Sequence, residues 1–218
     1  MVPRMKPTHV EIEAKLILPK AERLKQLPQA LRSVCCSTRK LGLALIRDTY
    51  YDTPHWRLHR AGVACRIRRT EGRAMLVLKS LRRPSGGVSV RAEYEQPLRT
   101  PIGGFLRRLT GPVGGKVKKF CGGEPLQALF VVRNRRRTFE VTCADGLVAQ
   151  VCADDFTVTA GGNSRELAEL ELEVVRGDRR QLQRLARALS ARLKLSPGSR
   201  AKFQQGLEVG GHRPHAAR

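Results

Sequence analysis

Apolar and polar positions alternate with a period of two over much of the chain, the spacing of half-buried β-strands. In Thr8–Leu18 (THVEIEAKLIL), Glu11, Glu13 and Lys15 fall on one face and Val10, Ile12 and Ala14 on the other. Similar strands are predicted in LALIRDTYYDTP, which runs into a proline turn, in Gly62–Arg69 (GVACRIRR), in AMLVLKS and in Val88–Leu98 (VSVRAEYEQPL). Leu129–Val141, Leu147–Ala153 and Glu166–Val175 complete the set. Glu71-Gly72 marks a tight turn and RRPSGG a hairpin loop. Helical spacing is rarer. PKAERLKQLPQALRS reads as a short helix broken at Pro28. RRQLQRLARALSARL places Leu182, Leu185, Leu189 and Leu193 on one stripe behind an Asp178 N-cap. Residues 101–125 are rich in glycine and proline, with a short helical stretch at FLRRL. The pattern predicts an α+β, mainly antiparallel β domain over residues 9–209, with an extension at 1–8 and a polar, frayed tail at 210–218.

Composition narrows the class. The 218 residues are 41% hydrophobic, enough for a core, which excludes a wholly disordered chain. No apolar run approaches the ~20 residues of a membrane helix, and the N-terminus lacks the apolar stretch of a signal peptide, so a soluble cytoplasmic protein is expected. Six cysteines without C-x-x-C spacing read as free thiols in a reducing compartment. The net charge of +23 suits polyanionic partners, or a solvated arginine background.

The arrangement of charge is more informative than its sum. Glu11/Glu13, Glu93/Glu95 and Glu169/Glu171/Glu173 form three alternating clusters, with neighbours about 7 Å apart on one face. Lys15, Arg66/Arg68, Lys79, Arg91 and the run Arg133–Arg137 follow the same spacing. For one strand, a charged face in water is the simplest reading. For all the strands together, a closed barrel with charged faces turned inward accounts better for the density and mixed sign. Carboxylates would then hold Mg²⁺ or Mn²⁺, and Arg and Lys would hold phosphate oxygens. Other motifs carry less. Gly111–Lys116 (GPVGGK) has the wrong spacing for a phosphate loop and reads as a plain loop. His9, His55, His59, His212 and His215 show no ligand spacing and are assigned to surface or local packing; Trp56 and the few other aromatics form no base-stacking platform.

Glu11-Ile-Glu13-Ala-Lys15 resembles the ExExK signature of the CYTH superfamily, the triphosphate tunnel metalloenzymes. Arg47–Pro54 (RDTYYDTP) is similar to the matching stretch of thiamine triphosphatases. RIRR with Lys79 is similar to the family's paired-Arg strand and the Lys that follows it, and RAEYEQPL, AELELEVV and Gly198–Leu207 (GSRAKFQQGL) look most like bacterial inorganic triphosphatases. The resemblance spans about residues 9–207 and implies an eight-stranded closed antiparallel β-barrel with flanking helices. It implies Mg²⁺- or Mn²⁺-dependent hydrolysis of inorganic triphosphate to pyrophosphate and phosphate. Glu11, Glu13, Glu169 and Glu171 would face the metal, with Glu93, Asp154 and Glu173 as further acidic positions. Lys15, Arg66, Arg68, Lys79, Arg91 and Lys202 would grip phosphate. Arg136 fits an Arg-x-x-aromatic pattern with Phe139, though a one-residue slip would substitute Arg135 or Arg137. Tyr50 matches a tyrosine near the lysine of thiamine triphosphatases. Gln204 and Gln205 stand where charge is common. Many bacterial relatives continue into a histidine-rich CHAD domain; this sequence stops, so coupling to polyphosphate binding is not implied. The same fold would also suit a thiamine or nucleoside triphosphatase or a class IV adenylate cyclase. A non-catalytic binder of polyphosphate or RNA is the reading from a different class, and the interleaved acids disfavour a nucleic-acid groove.

Overall fold

The computed structural model describes residues 7–19, 21–81, 85–98 and 109–212. Eight long strands are β1 (His9–Leu18), β2 (Ser37–Asp52), β3 (Val63–Thr70), β4 (Arg73–Ser80), β5 (Val88–Pro97), β6 (Gln127–Thr142), β7 (Val148–Ala160) and β8 (Asn163–Arg176). They pair antiparallel in the order β5-β4-β3-β2-β6-β7-β8-β1, and β1 pairs again with β5, so the sheet closes into a barrel. A two-residue strand, β9 (Ser196–Pro197), adds to β1 at Leu16 and Ile17. Closure removes every edge along the ring and forces each strand to present one face to the lumen.

Strand lengths depart from the sequence pattern where alternation ends before pairing does. β2 runs back to Ser37 and β7 on to Ala160, because each continues its ladder with β6. β7 and β8 then join through Gly161-Gly162, both at positive φ, the two-residue turn whose twist matches a hairpin. Glu71-Gly72 makes the equivalent turn between β3 and β4, as expected. Of the RRPSGG loop, Ser85–Gly87 is described and Ser85 bonds Val88 across Gly86-Gly87; residues 82–84 lie outside the described residues.

Two groups of helices cover the outer face. A 3₁₀ turn (Ala21–Gln26) leads into α1 (Leu27–Val34), so Pro28 sits in the first turn of a helix and does not break one. The first turn needs no donor from that position, which makes proline tolerable there. α1 packs beside α4 (Arg179–Leu193), whose Leu182, Leu185, Leu189 and Leu193 are buried. Asp178 caps α4 as expected, in a reciprocal box with Gln181 at 2.9 and 2.8 Å. Together α1 and α4 cover Leu16, Leu170 and Leu172, the apolar neighbours of Lys15, Glu169 and Glu171 in sequence. On the other side, α2 (Arg57–Arg60) and α3 (Gly111–Cys121) cover Cys65, Ile67, Leu76 and Leu78. The loop expected at Gly111–Lys116 is therefore helical. Its three glycines argue against a helix, but Pro112 suits the first turn and Val113, Val117 and Cys121 form a buried stripe. Its opening N–H groups point at Gln96, whose Oε1 accepts from Val113 N at 3.0 Å. The FLRRL helical expectation falls mainly on residues outside those described, as do most of the N-terminal extension and of the C-terminal tail.

The fifth helix, α5 (Lys202–Val209), is a plug. Phe203, Leu207 and Val209 pack with Tyr50, Phe130, Val132, Phe156 and Val158, which share their faces with the charged lumen residues. Tyr50 stacks on Phe130 with ring centroids 4.6 Å apart. Gly206 lets α5 seat this deeply, since a Cβ there would meet the Phe130 ring 2.1 Å away. Burial of the plug side chains contributes roughly 1.5–3 kcal/mol each, and it closes one end of the barrel around Lys202.

Candidate active site

The interior is built of ion pairs contributed by every long strand. β1 carries a file from rim to depth: His9, Glu11, Glu13 and Lys15, of which only His9 is exposed. Lys15 Nζ reaches Glu169 at 2.9 Å, Glu13 at 3.3 Å and, more closely, Glu171. Arg91 on β5 donates to Glu13 at 2.9 Å, and Lys79 on β4 pairs with Glu11 and with Glu13 at 3.4 Å. On β3, Arg66 donates to Tyr50 Oη and to Glu93, both at 3.2 Å. Arg68 forms a two-pronged pair with Asp48 at 3.0 and 2.9 Å.

The deep end is the most densely paired. Asp154 on β7 is fully buried and accepts from Arg136 at 2.7 and 2.6 Å and from Lys202 at 2.7 Å. Lys202 also contacts Glu169 and lies 3.0 Å from Glu171, while Arg136 contacts Glu171. The register question is thereby resolved. Arg136 pairs across the ladder with Asp154 and turns inward, whereas Arg135 is exposed on the outer face.

Burial and neighbours drive the carboxylates apart in acidity. Burial opposes ionisation of Glu13, but Lys15, Lys79 and Arg91 outweigh it and bring its pKa down to about 2. Lys202 and Arg136 likewise outweigh burial at Asp154, which falls to about 2, and Lys15, Lys202 and Arg136 hold Glu171 well below the ordinary range. Glu11 goes the other way. Burial and its contact with Glu93 raise it to about 7, so Glu11 is the proton-holding member of that pair, and Glu93 is lowered. Glu173 is raised by burial and by Glu11.

Glu11, Glu13, Lys15, Tyr50, Arg66, Arg68, Lys79, Arg91, Glu93, Arg136, Asp154, Glu169, Glu171 and Lys202 converge on this interior, with Glu173 at the rim. Three participants were missed. Asp48 and His9 were legible by period two, each standing two residues from a chosen position, Tyr50 and Glu11. His9 is exposed, as a surface assignment implies, but it also faces the rim acids: its Nε2 lies 3.6 Å from Glu11, 3.6 Å from Glu93 and 3.8 Å from Glu173. Gln205, named in the sequence only as standing where charge is common, is buried and donates to Glu169 at 3.3 Å from α5. Asn134, two residues before Arg136, is also buried on the inner face. Gln204, by contrast, is exposed and bonds the Ala201 N–H at the start of α5.

Two groups of side chains offer ligand atoms within 4.8 Å of one another: Asp154, Glu169 and Glu171 in the depth, and His9, Glu11 and Glu173 at the rim. Hard oxygen donors with one imidazole suit a divalent cation such as Mg²⁺ or Mn²⁺. The deep group is already neutralised by Lys202, Lys15 and Arg136, whereas the rim group has only Lys79 at Glu11.

Residues 9–205, which include the closed eight-stranded barrel with ionic groups of both signs inside, match the CYTH domain family model. The chain belongs to the CYTH family. Solved structures show the same fold. HpAC1 of Hippeastrum, an adenylyl cyclase candidate described as having a dominant triphosphatase activity, is 22% identical, with a TM-score of 0.61 over 92% of this chain and 96% of its own. An adenylate cyclase candidate from Bacillus halodurans is 19% identical, with a TM-score of 0.58 over 89% of this CYTH chain and 96% of that one. The PH1819 protein of Pyrococcus horikoshii is 15% identical, with a TM-score of 0.56 over 91% and 98%. Among the described residues of this CYTH protein, no helix is long and apolar enough to cross a membrane.

Proposed function

We propose that this CYTH protein hydrolyses inorganic triphosphate to pyrophosphate and phosphate with the help of Mg²⁺ or Mn²⁺. The observation that carries the reading is a small internal void, about 40 Å³, bordered by five cationic side chains, Lys15, Arg66, Lys79, Arg91 and Lys202, and a single carboxylate, Glu171. That volume is little more than the ~30 Å³ share of one water molecule. A phosphate chain therefore enters by exchange: its oxygens take the lysine and arginine donors that Glu13, Glu93, Asp154 and Glu171 otherwise occupy.

Phosphoryl transfer asks mainly for positioning and charge stabilisation, and these donors supply both. Lys15, Arg91 and Lys202 hold the chain in line, while Arg66 is oriented by Tyr50 and Glu93. Glu11, Glu13 and Glu173 would hold the metal on the rim side, joined by Glu93, with Glu169 and Glu171 facing it from the depth. When bound, the metal neutralises phosphate charge and acidifies a water. Removing one charge-assisted donor is worth about 2–4 kcal/mol in the transition state, or ~10²–10³ in rate.

The preference for the unsubstituted chain is supported by the aromatic side chains. Every described Phe, Tyr and Trp lies in or against one of three apolar clusters, which leaves none at the rim to stack on an adenine or thiazolium ring. Phosphate release from triphosphate, thiamine triphosphate and ATP, each with Mg²⁺ and with EDTA, tests the reading. Triphosphate is expected to be the best substrate, and Glu11→Gln/Glu13→Gln to lose turnover. Activity that survives EDTA, or full turnover by the variant, would defeat it.

A further inference from the structure

We propose that His9 is a nitrogen ligand of a divalent cation at the tunnel rim, completed by Glu11 and Glu173, and that it biases the site toward Mn²⁺ over Mg²⁺. The inference deepens the metal-dependent reading above and rests on it only for the cation's purpose, not for its place.

Three carboxylates from three strands surround the imidazole: Glu11 of β1, Glu93 of β5 and Glu173 of β8. At 3.6, 3.6 and 3.8 Å from Nε2, all three lie beyond normal hydrogen-bonding range. A cation at ~2.1 Å from its ligands sets neighbouring donor atoms roughly 3.0–3.4 Å apart. Contraction by a few tenths of an ångström would bring the His9–carboxylate distances to that spacing. Glu11 is 7% exposed, and its buried Oε2 has Lys79 as an ion-pair neighbour but no hydrogen bond. Carboxylates crowded at this range repel unless a positive charge stands among them. In the depth Lys202 fills that role; at the rim Lys79 pairs with Glu11 and Arg66 with Glu93, and among the described residues no lysine or arginine pairs with Glu173. His9 itself is 42% exposed, which leaves a path from solvent.

Imidazole selects among cations. Mg²⁺ prefers oxygen and keeps its waters, whereas Mn²⁺ accepts nitrogen in a mixed set and stands higher for such ligands. The competing reading is that His9 is a protonated partner of the three carboxylates and never touches a metal.

Electron spin-echo spectroscopy of Mn²⁺ added to the full chain, without substrate, separates the two. The wild type is expected to show nitrogen-14 modulation on bound Mn²⁺, and His9→Gln to lose it. Because this side chain is on the rim, His9→Gln should keep the wild-type melting temperature. By titration calorimetry, the Mn²⁺ to Mg²⁺ affinity ratio should fall about tenfold in His9→Gln, with Mg²⁺ affinity little changed. Mn²⁺ that binds without nitrogen modulation, fails to bind, or binds His9→Gln with an unchanged ratio would overturn the proposal. Nitrogen modulation that His9→Gln abolishes, in a protein that releases no phosphate, would uphold the ligand and refute the triphosphatase reading instead.

Discussion

Asp154→Asn exposes the energetics of the tunnel with little change of shape. The carboxylate is fully buried and takes two bonds from Arg136, at 2.7 and 2.6 Å, and one from Lys202 at 2.7 Å. The amide removes the charge and turns one acceptor into a donor facing a cation. Breaking one side of a buried pair costs about 3–5 kcal/mol, because the remaining charges stay desolvated. For a chain of this length that corresponds to a fall in Tm of roughly 6–20 °C. The pH dependence has a definite sign. Asp154 is lowered from 3.8 to about 2, so its stabilising effect is present above the unfolded value and is lost as pH falls through the folded one. Urea unfolding in EDTA should therefore show the full gap between wild type and Asp154→Asn from pH 5 to 8. The gap should close between about pH 4 and 2. A difference under ~1 kcal/mol at neutral pH, or one that does not shrink in acid, would refute the view that this pairing is buried and unreplaced.

Three further outcomes follow from the same geometry. Gly206→Ala drives a methyl into the Phe130 ring, so it should unseat α5, cost about 1–3 kcal/mol in urea unfolding and lower turnover by misplacing Lys202. Arg136→Lys loses the two-pronged grip on Asp154 and should lower phosphate release ~10-fold or more, while Arg135→Lys on the outer face should leave it unchanged; equal effects would contradict the register. Glu11 holds a proton up to about pH 7, so metal binding should release close to one proton below that pH and weaken as pH falls. Calorimetry in buffers of different ionisation enthalpy measures the release, and a pH-independent affinity between 5 and 8 would count against it.

What the sequence reveals of such a barrel is limited by which signals are local. Alternation is local, so Glu11, Glu13, Lys15, Arg66, Arg68, Glu169 and Glu171 are visible along the chain and are all found on the inner face, with Glu173 at the rim. The Arg135–Arg137 ambiguity is not local: three adjacent arginines satisfy any face, and only the Arg136–Asp154 ladder pair decides among them. β2 illustrates another limit. Its start at residues 37–42 precedes the predicted strand, and Leu41, Leu43 and Leu45 are apolar yet exposed; the ladder to β6 is what carries the strand back to Ser37. The plug is the least legible part. Lys202 stands out by resemblance, but that α5 enters the barrel depends on Gly206 meeting Phe130, a contact 76 positions apart in the chain.

The ledger of charge separates two roles that the sequence alone merges. Inside, Lys15, Arg66, Arg68, Lys79, Arg91, Arg136 and Lys202 face Glu11, Glu13, Asp48, Glu93, Asp154, Glu169, Glu171 and Glu173, and the two sets nearly cancel. Among the described residues, the remaining excess of positive charge therefore lies outside this interior. Part of it lines an open outer groove, where Arg47, Arg73, Arg133 and Arg135 are exposed. A near-neutral interior suits exchange chemistry better than a strongly basic one would. A highly charged anion brought in with a divalent cation changes the net interior charge far less than the anion alone, and each displaced carboxylate can turn to the metal as each lysine or arginine turns to phosphate. An interior of bare cations would bind phosphate without needing a metal and would hold the product as tightly as the substrate. Under the proposed triphosphatase reading, the acids interleaved with the bases would make metal dependence and product release consequences of the same arrangement.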